Sequence, residues 1–320
     1  MFDLISIGDA AVDYFFKISD AHLENGGTKL CFNFGDKLPV DEHQQTLGGN
    51  TPNSAVAAVK LGLKSAVYLN IGTDLAGKFT LTKLQEAGID TRYVMENEEK
   101  NSNASAIISF NGERTILVFR QDFNYQLPDL DKTRWVHLSS MGKSAFDCNL
   151  NKQVENYLER VGASLVYNPG PYELSHGVKK FPRLLSLTNL LIVNKEEAEM
   201  ILGGKPSIKK MLSGLVELGP KTVIITDGKE GSYSFDGEKV LKLGVFPAKV
   251  IDMTGAGDSF AAGVLAGLFY GKSLGEAMRW GAVDAASNIE EVGAQNGLLN
   301  YEKMQEKLKE HATITPKELK

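Results

Sequence analysis

The sequence predicts an α/β fold in three layers, with helices on both faces of a mostly parallel central sheet and a small β-rich flap beside it. Short β-rich runs alternate with amphipathic helical runs, which is the pattern of successive βαβ units. The β-rich runs are almost continuously apolar, as expected of strands that are covered on both faces. Two turn-rich segments early in the chain break the alternation, and they predict the flap.

The individual elements follow from these runs. Apolar β-rich runs predict core strands at residues 4–8, 66–71, 135–140, 164–168, 190–194 and 222–226. Amphipathic runs predict helices at residues 53–61, 78–87, 153–161, 196–202, 208–218, 257–269 and 274–289. A hairpin is predicted over 106–119 around Asn111-Gly112, and a second one over 232–243 around Asp236-Gly237. We interpret residues 15–40 and 106–119 as parts of one flap, although two separate surface loops would give the same pattern.

Length and charge limit the kinds of protein that the chain can be. Its 320 residues are 42% hydrophobic, which is enough to bury a sizeable core. No repeat or linker interrupts the chain, so we expect residues 1–320 to form a single domain. The net charge is −5 and no long basic run occurs, so neither nucleic acid nor an anionic membrane is expected as a partner.

The sequence also predicts a cytoplasmic protein. The N-terminus has no positively charged region ahead of an apolar run, so we expect no signal peptide. No apolar stretch reaches about 18 residues, so we expect no membrane-spanning helix. Cys31 and Cys148 are the only cysteines, and reduced thiols are favoured over a disulfide between them.

Polar side chains follow several of the predicted strands. Asp9 and Asp13 come after the first strand, Asn168 and Asn194 end two later ones, and Thr226 ends the last. In open α/β sheets the ligand crevice lies beyond the carboxyl ends of the strands, so these are candidate binding residues. Asp and Asn also favour turns for local reasons, and Asp13 would merely cap a turn under that interpretation.

The stretch DMTGAGDSF, residues 252–260, has three competing interpretations. It is a tight turn, a dinucleotide-binding loop, or a phosphate site beside a catalytic base. A Rossmann fingerprint requires G-x-G-x-x-G early in a βαβ unit, whereas here Phe260 stands in place of the third glycine and the loop lies late in the chain. The dinucleotide interpretation, and with it a dehydrogenase, is therefore disfavoured.

The phosphate interpretation explains more of the loop. Gly255, Ala256 and Gly257 present backbone N–H groups that no bulky side chain screens, at the start of a predicted helix whose N-terminus attracts anions. Asp258 follows in the first helical turn. A carboxylate beside an anion site is what phosphoryl transfer to an alcohol requires, although Asp258 would also stand there if it only interacted with the helix dipole.

Several motifs, taken together, resemble those of one enzyme family. DMTGAGDSFAAGVL (252–265) resembles the C-terminal signature D-T-x-G-A-G-D of the ribokinase-like (PfkB) carbohydrate kinases, and LGGNTPNSAVAAVKLG (47–62) resembles their N-terminal signature. NPGP (168–171), VNKEEAEMILG (193–203) and TDGKEGSY (226–233) follow in family order. The resemblance covers roughly residues 3–300. It implies a ribokinase-like fold and ATP-dependent phosphorylation of a hydroxymethyl group on a sugar or nucleoside.

The resemblance also implies roles for individual residues. It makes Asp258 the general base and the backbone of residues 255–257 the anion hole. It implies that Asn194 and Glu197 organise Mg²⁺ through water, although Glu197 would equally serve as a solvated acid in the first turn of a helix. The remaining implied contacts are those of Asn194, Thr226, Gly228, Gly231 and Asn288 with ATP, and those of Asp13, Gly48, Gly49 and Asn53 with the hydroxyl groups of the acceptor.

The resemblance extends to the flap. Its two segments, about 14–45 and 101–124, would be the family's lid, which excludes water and so suppresses wasteful ATP hydrolysis. We expect a homodimer formed through the lid. Relatives that bind a monovalent cation near the 252–258 loop make K⁺ a further expectation, and Met253 departs from the signature at that place.

The sequence leaves the acceptor open. The leading hypothesis is a sugar kinase, and the closest alternative is an adenosine-type nucleoside kinase on the same scaffold with the same catalytic residues. A non-catalytic metabolite sensor is a third hypothesis, which the intact Asp258 and its glycine loop argue against. Flap aromatics would suit stacking on a nucleoside base or a dimer surface, but we expect them to form the flap's own core. They are Phe15, Phe16, Phe32, Phe34, Phe119, Phe123 and Tyr125.

Overall fold

Strands and helices alternate along most of the chain. The computed structural model describes residues 1–111 and 113–319. Its strands are β1 (Phe2–Ile7), β2 (Ala11–Lys17), β3 (His22–Glu24), β4 (Lys29–Cys31), β5 (Glu42–Gly48), β6 (Ser65–Gly72), β7 (Asp90–Asn97), β8 (Ala104–Phe110), β9 (Glu113–Phe119), β10 (Thr133–Leu138), β11 (Ser164–Tyr167), β12 (Thr188–Asn194), β13 (Thr222–Thr226), β14 (Ser232–Phe235), β15 (Val240–Leu243) and β16 (Lys317–Glu318). Its helices are α1 (Asn50–Lys60), α2 (Leu75–Glu86), α3 (Ser144–Asp147), α4 (Leu150–Val161), α5 (Pro171–His176), α6 (Pro182–Leu187), α7 (Lys195–Leu202), α8 (Ile208–Val216), α9 (Ala256–Phe269), α10 (Leu274–Asn288) and α11 (Tyr301–Glu310).

The central sheet has ten strands in the order β16-β15-β14-β13-β12-β11-β10-β1-β6-β7. The strands from β13 to β7 are parallel, and β14, β15 and β16 extend one edge in antiparallel fashion. All of the predicted core strands lie in the parallel part. The edge strand β7 was missed because only one of its residues is buried, so it lacks the continuous apolar run that the prediction relied on.

Successive residues along the buried strands point into two different helical layers. Leu191 of β12 packs in a cluster with Leu212 of α8, whereas its neighbour Ile192 packs in a second cluster with Val264 of α9 and Trp280 of α10. Strands buried on both faces need apolar residues at every position. The three-layer α/β fold that the sequence predicts is therefore confirmed.

The predicted helices are all present, with ends that differ by a few residues. The helices that were missed are α3, α5, α6 and α11. The first three are short, and α5 and α6 begin with Pro171 and Pro182, which suit the first position of a helix. Helix α11 buries only Met304 and Leu308, and its start is marked by the Asn300 side chain, which accepts a hydrogen bond from the backbone of Lys303.

The two segments that interrupt the alternation join in a second, four-stranded sheet in the order β5-β2-β8-β9. Every residue of the edge strand β9 is exposed. The predicted turn between β8 and β9 falls partly outside the described residues: Asn111 has a φ of 50°, and Gly112 is not described. The other predicted hairpin is confirmed as β14 and β15. A two-stranded ribbon of β3 and β4 lies between β2 and β5 along the chain.

Two findings bear on the remaining expectations from composition. Within residues 1–111 and 113–319, no helix is long and apolar enough to cross a membrane. Cys31 and Cys148 are free thiols, so the prediction against a disulfide between them is confirmed.

Candidate active site

The glycine loop, residues 252–258, runs into the N-terminus of α9. Gly255 has a left-handed backbone with φ of 75°, and a Cβ there would come within 2.6 Å of the Cβ of Ala294, so only glycine fits. The Ala256 amide donates to the Met253 carbonyl at 3.3 Å, and the Gly255 carbonyl accepts the first amide of the helix ladder, from Ser259, at 2.9 Å. The amides of residues 257 and 258 are left without an acceptor inside the helix. They are the N–H groups of this loop that are best placed to meet an anion.

Asp258 lies beside these amides and is buried. Its Oδ2 accepts a hydrogen bond of 2.8 Å from Nδ2 of Asn53 in α1. Burial raises the pKa of Asp258 from 3.8 to about 6, and the hydrogen bond from Asn53 limits that rise. The structure therefore brings a predicted base and a predicted acceptor residue into direct contact, and it gives the carboxylate a pKa close to neutral pH.

Gln295 orients Asn53, a contact that no sequence pattern predicted. Its Nε2 donates to Oδ1 of Asn53 at 2.8 Å and to the carbonyl of Leu47 at 3.0 Å. Lys60 in turn donates to the Gln295 carbonyl at 3.0 Å. Because Oδ1 of Asn53 is held in this way, its NH₂ group is turned toward Asp258. A single glutamine in a loop carries no sequence signal for such a role.

The predicted acceptor residues surround the start of α1. Asp13 on β2 is largely buried, and a Cβ on Gly48 would collide with its carboxylate. Gly49 has a φ of 95°, and a Cβ there would lie 2.7 Å from the carbonyl of Asp9 and 2.8 Å from Cα of Ala10. Each position thus requires glycine for a steric reason. Gly48 makes room for the Asp13 carboxylate, and Gly49 allows its backbone to pack against that of residues 9 and 10.

Two arginines that no motif predicted lie near the Asp13 carboxylate. Arg114 is on β9, and Arg120 directly follows that strand. Burial raises the pKa of Asp13, whereas a hydrogen bond from Ser105 and the charges of Arg120 and Arg114 oppose the rise. The Nη1 atom of Arg120 is buried and has no hydrogen-bond partner among the described residues. Burial also raises the pKa of Asp9, to about 6, although Tyr125 donates a hydrogen bond of 2.6 Å to it and Arg120 lies nearby. The acceptor side therefore holds more positive charge than its motifs suggested.

The residues predicted to contact nucleotide and metal lie at the ends of β12 and β13. Asn194 and Glu197 form a reciprocal capping box at the start of α7, with two hydrogen bonds of 2.8 Å between side chain and backbone. Thr226 lies beside Asn194 in the parallel register. The residues that directly follow these two strands form an ion pair, from Lys195 Nζ to Asp227 Oδ2 at 3.0 Å. This ion pair links the carboxyl ends of β12 and β13.

The other predicted nucleotide residues have packing contacts that the sequence did not reveal. Gly228 faces open space, whereas a Cβ on Gly231 would collide with the carbonyl of Leu243. Asn288 is fully buried, and its Nδ2 donates to the carbonyl of Thr254 at 3.0 Å. Asn288 therefore supports the glycine loop from behind.

The sequence as a whole shows which family this arrangement belongs to. The pattern of the pfkB family carbohydrate kinases matches residues 3–300. The chain belongs to the PfkB family. It is therefore a phosphotransferase that acts on a hydroxyl group, on either a sugar or a nucleoside, and it has the ribokinase-like fold of that family.

Individual relatives of this PfkB kinase differ in their acceptors. It is 26% identical over 304 residues to an ATP-dependent 6-phosphofructokinase of Thermoanaerobacterium thermosaccharolyticum, and the alignment covers 92% of this chain and 89% of the relative. It is 30% identical over 292 residues to the ribokinase of Haemophilus influenzae, with 87% and 92% covered. The crystal structure of Methanocaldococcus jannaschii nucleoside kinase matches with a TM-score of 0.77 at 23% identity, covering 97% of this chain and 99% of that one.

The residues around Glu197 fit a hydrated Mg²⁺ ion better than a closed protein cage. Desolvation raises the pKa of Glu197, and the negative charges of Glu196 and Asp258 add to the rise. Its Oε2 accepts the backbone hydrogen bond of the capping box, and that bond does not use Oε1. Among the residues that the structure describes, no three His, Cys, Asp or Glu side chains come together as a metal site. An ion here would thus depend on phosphate and water ligands, as Mg²⁺ often does.

Replacement of Gly257 tests whether the glycine loop of this PfkB kinase binds an anion. A Cβ on Gly257 meets open space, so the Gly257→Val variant should fold normally. Its side chain should, however, obstruct the backbone amides of residues 257 and 258. We expect kcat to fall about 10²–10³-fold with the melting temperature unchanged. Gly255→Val should lose stability as well, because it meets Ala294 and has a positive φ.

Gly204→Val is the matched control for this test. Gly204 also faces open space and lies beyond the C-terminal end of α7. Its replacement should change neither kcat nor the melting temperature. Wild-type kcat in a folded Gly257→Val enzyme would mean that the loop is only a turn.

Asp258→Asn should separate a catalytic carboxylate from a structural one. Loss of the base should lower kcat by about 10²–10⁴-fold. At pH 7 the variant should be more stable than wild type, because the folded pKa of about 6 lies above the unfolded value of 3.8. Folding then disfavours the charged form, by up to about 3 kcal/mol above pH 6, and the cost disappears below pH 4.

The measurements are kcat and the melting temperature between pH 4 and pH 8. Asp90→Asn is a control of opposite sign, because the hydrogen bond from Arg92 lowers the pKa of Asp90, and its loss should destabilise the protein at pH 7. An Asp258→Asn variant that is less stable than wild type at pH 7, with kcat above a tenth of wild type, would leave Asp258 with a structural role only.

Proposed function

We propose that this PfkB kinase transfers the γ-phosphate of ATP to a hydroxymethyl group of a small carbohydrate. The observation that carries the proposal is the buried Asp258 carboxylate, which Asn53 holds beside the free amides of the α9 N-terminus. A base for the hydroxyl proton and donors for the transferring phosphoryl group are the two elements that this reaction needs.

In the proposed reaction, Asp258 accepts the proton of the acceptor hydroxyl as the oxygen attacks the γ-phosphorus. The bond between the acceptor oxygen and phosphorus forms, the bond to the β-phosphate oxygen breaks, and ADP leaves. Within the predicted anion hole of residues 255–257, the Gly257 amide, together with that of Asp258, would face the charge on the transferring group, because the Ala256 amide already donates to the Met253 carbonyl. Mg²⁺ would neutralise phosphate charge when bound, with Asn194 and Glu197 holding its water shell. Thr226, Gly228 and Gly231 would line the ATP site, and Asn288 would act from behind the glycine loop.

We assign the acceptor site to Asp13, Gly48, Gly49 and Asn53. The Asp13 carboxylate can accept two hydroxyl hydrogen bonds, which suits a vicinal diol. The sheet β5-β2-β8-β9 would close over this site as a lid and exclude water from the reaction. Both expectations are supported by the position of Asp13 on β2, the strand that continues from the acceptor site into the lid sheet.

A nucleoside acceptor is the second candidate, and one lid residue distinguishes it from a sugar. Residues two apart on a strand share a face, so Phe15 lies on the same face as Asp13, and it is half-buried. Phe123 and Tyr125 belong to the main core, and Phe16 packs against His43 on the opposite face. A nucleoside base would therefore stack on Phe15. Phe15→Ala would then weaken the binding of a nucleoside much more than the binding of a free sugar.

We further propose that the kinase is a cytoplasmic homodimer joined through the lid sheet. Ile116, Leu117, Val118 and Phe119 are exposed on β9, which is one of the two edge strands of that sheet. An exposed apolar edge strand is a template for pairing with another strand. A second copy of the same strand would cover it.

The acceptor is tested by ADP release from ATP in the presence of single compounds. The set should contain pentoses, hexoses, their monophosphates and nucleosides, each with and without Mg²⁺. We expect a carbohydrate to give the highest kcat/KM and Asp258→Asn to abolish its signal. Turnover of nucleosides alone would favour the second candidate, and no turnover with any hydroxyl compound would contradict the proposed function.

Asp13→Ala tests the acceptor assignment. Loss of a charged partner of a bound hydroxyl costs roughly 1.5–3 kcal/mol, so the acceptor KM should rise about 10–150-fold while the KM for ATP stays the same. Asp41→Ala is the control, because Asp41 is an exposed acid that accepts a bond from Ser19 and lies next to β5. If Asp13→Ala lowers the melting temperature but keeps the wild-type acceptor KM, Asp13 has only a structural role within β2.

A further inference from the structure

Arg114 connects the lid sheet to the glycine loop. It lies on β9, opposite Ser109 of β8, and its Nη1 donates to Oδ1 of Asp252 at 2.6 Å and also to Oγ1 of Thr254. The Asp252 side chain is only 11% exposed. A lid side chain therefore sits on the first acid of the loop that leads into α9.

The oxygen atoms of this loop are already occupied by hydrogen-bond donors. Oδ1 of Asp252 also accepts bonds from the amide of Thr254 at 2.9 Å and from its hydroxyl at 2.6 Å, and Oδ2 accepts one from the amide of Gly293 at 2.9 Å. The Thr254 carbonyl accepts a bond from Asn288. Each of these three oxygens thus accepts a hydrogen bond from at least one N–H or O–H group, whereas Oδ1 of Asn288 is buried without a partner among the described residues.

The charge balance agrees with this geometry. Burial alone would raise the pKa of Asp252, but hydrogen bonds from Thr254 and Gly293 and the nearby charge of Arg114 bring it below the ordinary value. The carboxylate is thus held in its charged form, with one guanidinium as its counter-ion. The residues present do not fit a monovalent cation at Asp252, because Arg114 already pairs with this carboxylate and would repel a second positive charge.

We propose that Arg114 is the built-in counter-ion of Asp252 in place of a monovalent cation, so that phosphoryl transfer by this kinase does not require K⁺. Arg114 is a positioning residue: it holds Asp252 and Thr254, and through them the amides at the start of α9. Because Arg114 belongs to the lid, the loop gains this support only where the lid sheet reaches it. The inference rests on the proposed function where activity is measured, but its stability test does not.

The first experiment compares salts at constant ionic strength. The protein is freed of alkali ions and studied in tetramethylammonium chloride, NaCl and KCl. We expect kcat to agree within twofold among the three salts. We also expect the melting temperature without substrates to be the same, since an ion that binds the folded state raises it. A K⁺-specific rise in melting temperature, or a fivefold stimulation of kcat by K⁺, would overturn the proposal. If no acceptor supports turnover, the proposed function fails while the melting temperatures still test the cation site.

The second experiment removes the guanidinium. Arg114→Gln should lower kcat at least tenfold in tetramethylammonium chloride, with a smaller change in the acceptor KM, and Arg114→Lys should recover much of the loss. Lys17→Gln is the matched control, because Lys17 is an exposed lid cation that pairs with Glu42 and lies in the same lid register, opposite Ser109. Wild-type kcat in a folded Arg114→Gln protein would refute the positioning role.

Discussion

The hydrogen bond between Asn53 and Asp258 is the contact on which the site depends. It joins two residues that are 205 positions apart in the chain. It exists because α1 and α9 pack on the same face of the central sheet, where Ala58 of α1 and Leu61, which follows that helix, share a cluster with Val264 of α9. Small residues along both helices allow this approach, and the approach buries Asp258. The same packing that stabilises the fold therefore gives the carboxylate its raised pKa.

The carboxylates at the two ends of the glycine loop have pKa values that are shifted in opposite directions. Asp252 is surrounded by donors and a guanidinium, which keep its pKa low, whereas Asp258 is buried with a single amide donor, and its pKa rises to about 6. A carboxylate that stays charged suits a structural anchor, and one that titrates near neutral pH suits a proton acceptor. Gly255 stands between them in a conformation that only glycine adopts readily. The loop can thus be fixed at its start and reactive at its end.

The sequence predicted much of the fold, and it singled out the loop and the Asp258 carboxylate at the centre of the candidate site, because both depend on local patterns. Apolar runs identified the buried strands, and the small residues around Asp258 identified the loop. Gln295, Arg114 and Arg120 were not predictable, since a single polar residue in a loop or at a strand end acquires a partner only through tertiary packing. Glu197 shows a different limit. Its N-x-x-E spacing fits both a metal site and a capping box, and the structure contains the capping box without excluding the other role.

The position of Gln295 has a consequence for how the enzyme is made. Chains are synthesised from the N-terminus and fold largely in that order, and the strands from β1 to β13 can pair before the last quarter of the chain exists. Asn53 would then lack both Gln295 and Asp258, which are 242 and 205 residues away from it in sequence. A nascent chain can therefore fold much of its sheet before Asn53 meets Gln295 and Asp258. The three side chains come together only once the segment after α10 has emerged and docked.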